Sequence, residues 1–414
     1  MNKTKEQFAV AVVGGGPAGM MAAIKASENG ARVVLIEKNS GLGKKLLITG
    51  GGRCNITQAL LNNREFAEKL GKNGKFLLSA LSVFGPKETI DFFETNGLKL
   101  KTERGGRVFP VSHKAGDVLN VLLKRLAKNK VNILLNKKVL GFDIKQGIIE
   151  KVKLKEKDIF AKNFILTTGG AAYPGTGSTG DGYLWAQAMG HKIAKPLPAL
   201  TPLKIKEKWV NGLAGLTLKN VRVAVLQNNK KQAERFGEML LTHFGVSGPI
   251  ILDLSKEIGE LLTRGSVVLK IDLKPALDTE ILDKRLQRDF QSNKNFKNYL
   301  PCLLPQRLSD LIIQSTGISP DKKLNSLSRE ERKKIIGFLK GLPLTVAGLV
   351  GFEQALITRG GVNLKDIDSR TMRSKIIKNL FFAGEIMDLD GPTGGYNLQI
   401  CWSSGFAAGC NACG

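Results

Sequence analysis

Histidine, tryptophan, tyrosine and cysteine are scarce in this 414-residue chain: 3 His, 3 Trp, 4 Tyr and 5 Cys. The cysteines, Cys54, Cys302, Cys401, Cys410 and Cys413, are odd in number and mostly far apart, which excludes a disulfide framework and points to a reducing compartment. The histidines, His113, His191 and His243, pair with no cysteine at a ligand-like spacing, so no metal site is expected. No apolar run reaches the ~20 residues needed to span a bilayer. The run 8–13 is too short for the core of a signal peptide and ends in glycines. The expected location is cytoplasmic. Acids are few as well: 36 Asp and Glu against 63 Lys and Arg leave a net charge of +27. The cations are spread along the chain rather than gathered in one arm. They read either as a generally solvated basic surface or as a surface for a polyanion, nucleic acid included.

Hydrophobic residues at 42% and charged residues at 24% describe a globular protein and exclude a disordered chain or a coiled coil. At about 150 residues per domain, two or three domains are expected. The 47 glycines exceed the roughly 29 that average usage of ~7% would supply. Many fall in tight clusters, as backbone that approaches a ligand requires.

The first cluster carries the strongest signal. Residues 8–13, FAVAVV, form a continuous apolar run, as a parallel strand buried on both faces does. Gly14, Gly16 and Gly19 follow as G-x-G-x-x-G, with Pro17 and Ala18 between. A helix over 20–29 stops at Gly30, and a second apolar strand, 31–36, ends at Glu37. Gly14 permits the tight turn, Gly16 lets backbone approach a pyrophosphate, and Gly19 lets helix and strand pack closely. The helix N-terminus offers free N–H groups to the phosphates. Glu37, 18 residues after Gly19, can accept from both hydroxyls of an adenosine ribose and disfavours a 2′-phosphate. The expected dinucleotide is FAD or NAD rather than NADP.

Residues 39–57, NSGLGKKLLITGGGRCNIT, place Lys45, the glycines around Gly51, and Arg53, Cys54 and Asn55 where backbone could run along a flat ring. Donors and positive charge there suit a flavin. A strand over 131–138 leads to Val139, and an apolar strand over 164–168 ends at Thr168, Gly169 and Gly170. The segment 175–180 repeats G-x-G-x-x-G but follows its strand by six residues, so it reads as a turn capping a helix from Asp181. Near the C-terminus, a strand over 380–383 precedes Gly384, Glu385 and Asp388. Gly394, Gly395, Tyr396, Asn397 and Leu398 then open toward a small-residue helix over 403–409. A Gly-Gly turn opening a helix can aim its dipole at a reduced ring. The two chain ends are expected to close one site, with the middle as an insertion.

The stretches GRVFPVSHKAGDV (106–118), TTGGAAYPGTGSTGDGY (167–183), FGEMLLTHFGVSGPIILDLS (236–255) and FFAGEIMDLDGPTGGYNLQICWSSGFAAG (381–409), with the 39–57 loop, resemble the BaiN-like flavoproteins. These are NAD(P)/FAD-dependent oxidoreductases of the aminoacetone-oxidase type. The resemblance covers essentially the whole chain; Ala172 departs from the Ser common before its Tyr-Pro. It implies an α/β fold: a glutathione-reductase-like, Rossmann-type FAD-binding domain over 1–192 and 345–414, an inserted β-barrel-like domain over 193–277 and a helical subdomain over 278–344. It implies non-covalent FAD held by Gly14, Gly16, Pro17, Ala18, Gly19, Glu37, Lys38, Lys45, Arg53, Cys54, Asn55, Val139, Gly169, Gly384, Glu385, Gly395, Tyr396, Asn397 and Leu398. The reading of the same loops adds Gly51, Thr168, Gly170, Asp388 and Gly394.

The expected function is hydride transfer between flavin N5 and a small organic substrate, with NAD(P)H or O2 as second partner. No second nucleotide-binding module is present, so a nicotinamide would bind transiently over the flavin. Candidates for chemistry are His243 as a proton donor, Cys54 as a thiolate beside the ring, and Tyr396. Cys410 and Cys413 form a C-x-x-C that reads as a frayed tail or as a redox pair. An RNA-associated flavoprotein and a flavin-based redox sensor are the alternatives, the first motivated by the charge.

Overall fold

The computed structural model describes residues 7–59 and 62–414. It divides into two compact units, Met1–Pro198 with Phe352–Gly414, and Ala199–Gly351.

In the first unit the opening apolar run forms β1 (Gln7–Val13), with residues 10–13 fully enclosed. A strand without a solvated face needs parallel neighbours on both sides. It has them in β2 (Val33–Ile36) and in Ile159–Leu166. Helix α1 (Pro17–Glu28) joins β1 to β2. Asn132–Leu134 lies parallel beyond β2, and Leu380–Phe382 pairs parallel with Ile159–Leu166. An antiparallel hairpin, Gly141–Lys145 with Ile148–Lys153, completes a seven-stranded sheet. Strands from both ends of the chain therefore meet in one sheet. The strand expected over 131–138 is cut to three residues. Asn136 turns left-handed at φ 56° and the Lys137 amide donates to the Glu37 carbonyl, which carries 137–139 across the end of β2.

The last helix, Tyr396–Asn411, begins seven residues before its expected start at 403. It packs against α1 through bare backbone. A Cβ at Gly405 would lie 2.5 Å from the Ala18 carbonyl oxygen, and one at Gly409 would lie 2.5 Å from that of Ala22. The contacts advance together along both helices, so the two run parallel. The expected fraying of 410–413 is not found. Asn163 Nδ2 donates to the carbonyls of Ala412 (2.9 Å) and Gly414 (3.3 Å), and Cys413 packs against the core of this unit.

The second unit is built on a closed six-stranded barrel. Its strands are Leu203–Ile205, Gly245–Ser247, Lys230–Thr242, Thr217–Gln227, Val268–Asp272 and Leu342–Leu349. The helices Thr279–Asp289, Gln306–Thr316 and Arg329–Gly341 fall between its last two strands in sequence. Val223 and Leu269 of the barrel share one core with Leu282, Leu286, Ile335 and Leu339 of the helices. The separate domains expected at 193–277 and 278–344 are thus one compact unit in this structure. Closing the barrel leaves no free edge, and closure requires the strand that follows the helices.

Candidate dinucleotide site

A cleft at the C-terminal end of β1 lies within the first unit. Gly14 takes φ 109°, and a Cβ there would lie 2.5 Å from the Thr167 carbonyl oxygen, so packing alone demands glycine. Gly16 is different. Its φ of −77° suits any residue, a Cβ on it would meet nothing within 4 Å, and it lines the cleft. Glycine at 16 leaves room that the protein itself does not use.

Two helix N-termini serve this cleft. Neither α1 nor Tyr396–Asn411 has a side-chain cap or an acid in its first turn. Their positive dipole ends therefore favour an anion. Residues from both helix starts, Pro17 and Ala18 with Asn397 and Leu398, line the cleft. At its other end Glu37, 8% exposed, accepts from the amides of Gly15 (2.7 Å, Oε2) and Asn39 (2.8 Å, Oε1). Each carboxylate oxygen retains a further lone pair for a hydroxyl donor.

Lys38 donates to Thr179 Oγ1 (2.5 Å) and Asp181 Oδ2 (2.9 Å). Burial pushes the Asp181 carboxyl up, but Lys38 and Thr179 outweigh it and hold its pKa below the usual value. Lys45 pairs with Glu385 at 2.7 Å, and Glu385 Oε1 also accepts from the Thr358 amide at 2.8 Å. This pair joins the loop after β2 to the C-terminal return. Thr358 Oγ1 in turn accepts from the amides of Ala171 and Ala172, so Ala172 sits fully buried in a satisfied turn. Thr168 lines the cleft, and its buried Oγ1 lies on the side of Gly182 without a hydrogen-bond partner among the described residues. A buried hydroxyl without a partner is costly unless a ligand completes it.

Of the residues expected to hold a flavin, Gly14, Gly16, Pro17, Ala18, Glu37, Lys38, Lys45, Val139, Thr168, Gly169, Glu385, Asn397 and Leu398 line the cleft. Gly19, Gly51, Asn55 and Gly170 stand behind or beside this lining. Arg53 turns to Glu103 (3.2 Å) and His113 Nδ1 (3.2 Å), with its guanidinium 4.0 Å from the Phe109 ring centroid. Asp388 accepts from Asn73 Nδ2. Gly384 and Gly395 are packing glycines: a Cβ would lie 2.7 Å from Ala18 Cβ in the first case and 2.5 Å from Thr57 backbone in the second. Gly394 precedes that contact and takes φ 115°.

The three chemistry candidates lie outside the lining. Tyr396 is buried with its ring 4.9 Å from Phe66. Cys54 has no exposure, and burial pushes its thiol up to about 12, so it is no thiolate. His243 is exposed in the second unit and packs edge-on against Phe244. Burial likewise raises Cys410 and Cys413, the reverse of what a reactive pair needs. Cleft residues absent from the sequence reading include Trp185, Ile357, Thr358, Cys401 and the turn 176–179. Burial first, and Glu385 second, push the Cys401 thiol up to about 12. The turn 176–179 had a signal, its second glycine repeat. The others enter through tertiary pairing and had none.

The family description "HI0933-like protein Rossmann domain" matches residues 8–411. The chain belongs to the HI0933-like family. Among relatives of this HI0933-like chain is the 3-dehydro-bile acid delta(4,6)-reductase of Clostridium scindens, 30% identical over 97% of this chain and 98% of the relative. Another is the ribosomal RNA dihydrouridine synthase of Escherichia coli, 30% identical over 97% of each. Among solved structures, 3-ketosteroid-delta4-(5alpha)-dehydrogenase from Rhodococcus jostii superposes with a TM-score of 0.56. It covers 100% of this chain and 98% of that one at 15% identity, a likeness of fold. The BaiN-like resemblance and the Rossmann-type α/β fold are borne out. Among the described residues no helix is long and apolar enough to cross a membrane.

Proposed function

We propose that the protein binds FAD non-covalently in this cleft and uses it to reduce a carbon–carbon double bond activated by a conjugated carbonyl. The observation that carries the cofactor reading is the Gly16 gap facing the cleft beside two uncapped helix N-termini, with Glu37 at the far end. When bound and reduced by a donor such as NAD(P)H, the flavin would supply hydride chemistry at N5. The helix starts at Pro17 and Tyr396 would hold anionic parts of the cofactor. Glu37 would hold the adenosine ribose. Lys45 and Glu385 would fix the wall between.

The substrate reading rests on what two full-length relatives have in common. One is named as a delta(4,6)-reductase and the other as a dihydrouridine synthase. Each name describes saturation of a double bond. Anaerobic titration with NADH and then NADPH tests the proposal. Bleaching of a flavin band near ~450 nm, followed by reoxidation with an enone, supports it. A protein that neither carries nor accepts FAD refutes it.

A second reading makes the substrate a base within RNA. The net charge of +27 and the relative named for ribosomal RNA favour it. Electrophoretic mobility of RNA across a salt series tests this. No binding near ~150 mM salt, where non-specific contacts still persist for strong binders, counts against it.

A further inference from the structure

We propose that a basic groove in the second unit, between the helices Thr279–Asp289 and Arg329–Gly341, is a docking site for the sugar–phosphate backbone of single-stranded RNA. The placement rests on the RNA reading above.

The groove carries six cations. Two of them build its walls. Arg332 pairs with Asp283 at 2.6 Å; Lys340 pairs with Asp272 at 2.6 Å and also donates to the carbonyls of Lys274 and Leu277. The side chains of the other four, Lys270, Lys284, Arg329 and Lys333, line the same groove and make no ion pair or hydrogen bond among the described residues. The acids there are Asp283, already paired, and Glu280. Four unpaired like charges converging on one groove repel one another, and a polyanion reverses that repulsion.

Gly337 is the second observation. It lies within the helix Arg329–Gly341 and lines the groove, where glycine costs helix stability relative to alanine. No packing requires it: a Cβ there would meet nothing within 4 Å. Like Gly16, it leaves room that the protein does not fill, in this case room for a backbone to lie against the helix.

A third observation favours RNA over a simple polyphosphate. Phe236 is 54% exposed and stands opposite Arg222, which stands opposite Asp272 in the next strand. Strands lie ~4.8 Å apart, so the backbone of residue 236 is about 10 Å from that of Asp272, which anchors the groove wall. An exposed ring on the same barrel wall as a basic groove offers what single strands use, a surface for bases to stack on and cations for phosphates.

The test uses the flavin-loaded full chain and a labelled single-stranded RNA of about 16 nucleotides. The triple variant Lys284→Gln, Arg329→Gln, Lys333→Gln should bind more weakly. Its log–log salt slope should be shallower by about 2, at ~0.7 for each lost phosphate contact. Gly337→Gln should weaken RNA binding without lowering thermal stability. Phe236→Ala should weaken RNA and leave inorganic polyphosphate unaffected. Flavin content and melting temperature report that the variants fold. Wild-type binding to RNA with unchanged affinity and slope in the triple variant overturns the groove while leaving the RNA reading intact. Absence of wild-type binding near ~150 mM salt overturns both. Equal loss of polyphosphate and RNA, with Phe236→Ala silent, overturns RNA as the occupant.

Discussion

Replacing Gly16 by alanine separates folding from cofactor binding. Residue 16 has an ordinary φ of −77°, and the added methyl meets no protein atom within 4 Å. The folded protein has nothing to rearrange. Alanine also restricts the unfolded chain, so the cofactor-free protein should melt at the same temperature or slightly higher, by at most ~1 kcal/mol. The methyl instead enters space against the first turn of α1. If a pyrophosphate lies there, it is displaced from the N–H groups of that turn. Losing two hydrogen bonds to a charged group at ~1.5 kcal/mol each costs about 3 kcal/mol, or roughly 100-fold in affinity. Titrating stripped protein with FAD and following quenching of flavin fluorescence measures this. Gly14→Ala is the contrast, because its methyl strikes the Thr167 carbonyl and should lower the melting temperature itself. A Gly16→Ala protein that binds FAD within about threefold of wild type, under 1 kcal/mol, would refute the placement of the pyrophosphate.

Three further outcomes are expected. Lys45→Met leaves the Glu385 carboxylate with the Thr358 amide as its remaining donor among the described residues, and should destabilise the protein by about 1–3 kcal/mol; a double-mutant cycle with Glu385→Gln should recover a coupling, and additivity would show the pair to be inert. At pH 8 the folded protein should alkylate at exposed Cys302 well before Cys54 or Cys401, whose thiols burial holds near 12, as peptide mass spectrometry after brief iodoacetamide treatment would show. His191 is buried, with Nδ1 3.0 Å from the Ala186 carbonyl and Nε2 2.7 Å from Ser374 Oγ, a set that satisfies the neutral ring. Burial lowers its folded pKa, so the unfolded chain takes up the proton first. Its contribution to stability is full above about 6.5 and is lost as pH falls toward the folded value. Melting curves from pH 7.5 to 5 should show that loss, and His191→Gln should flatten it; identical slopes would dismiss the linkage.

The parts of the site legible in the sequence are those whose geometry is local. The turn from β1 into α1 and the acid at the end of β2 follow from a run of consecutive residues, so spacing alone locates them. The C-terminal return was legible as a strand and a glycine turn for the same reason. Side-chain direction was not. Arg53 sits in a glycine-rich loop suited to a flavin, yet Glu103, His113 and Phe109 claim its guanidinium from a small sheet that no spacing reveals. Tyr396 follows the right glycines, but Phe66 takes its ring. Thr358 and Cys401 enter the cleft because distant segments pair, and nothing beside them in sequence announces it. The barrel and the helices read as separate domains because their periodicities differ; their common core depends on a closing strand 70 residues after its neighbour at 272.

The parallel seating of the last helix on the first also governs when the cleft can come into being. A ribosome emits α1 some 379 residues before its partner through Gly405 and Gly409, by the starts at Pro17 and Tyr396. Until then the first helix presents its uncapped end without the second, and the sheet lacks Leu380–Phe382. Until residue 396 is made, the nascent chain has one of the two helix starts. A dinucleotide spanning both helix ends would act as a clasp between segments made far apart in time.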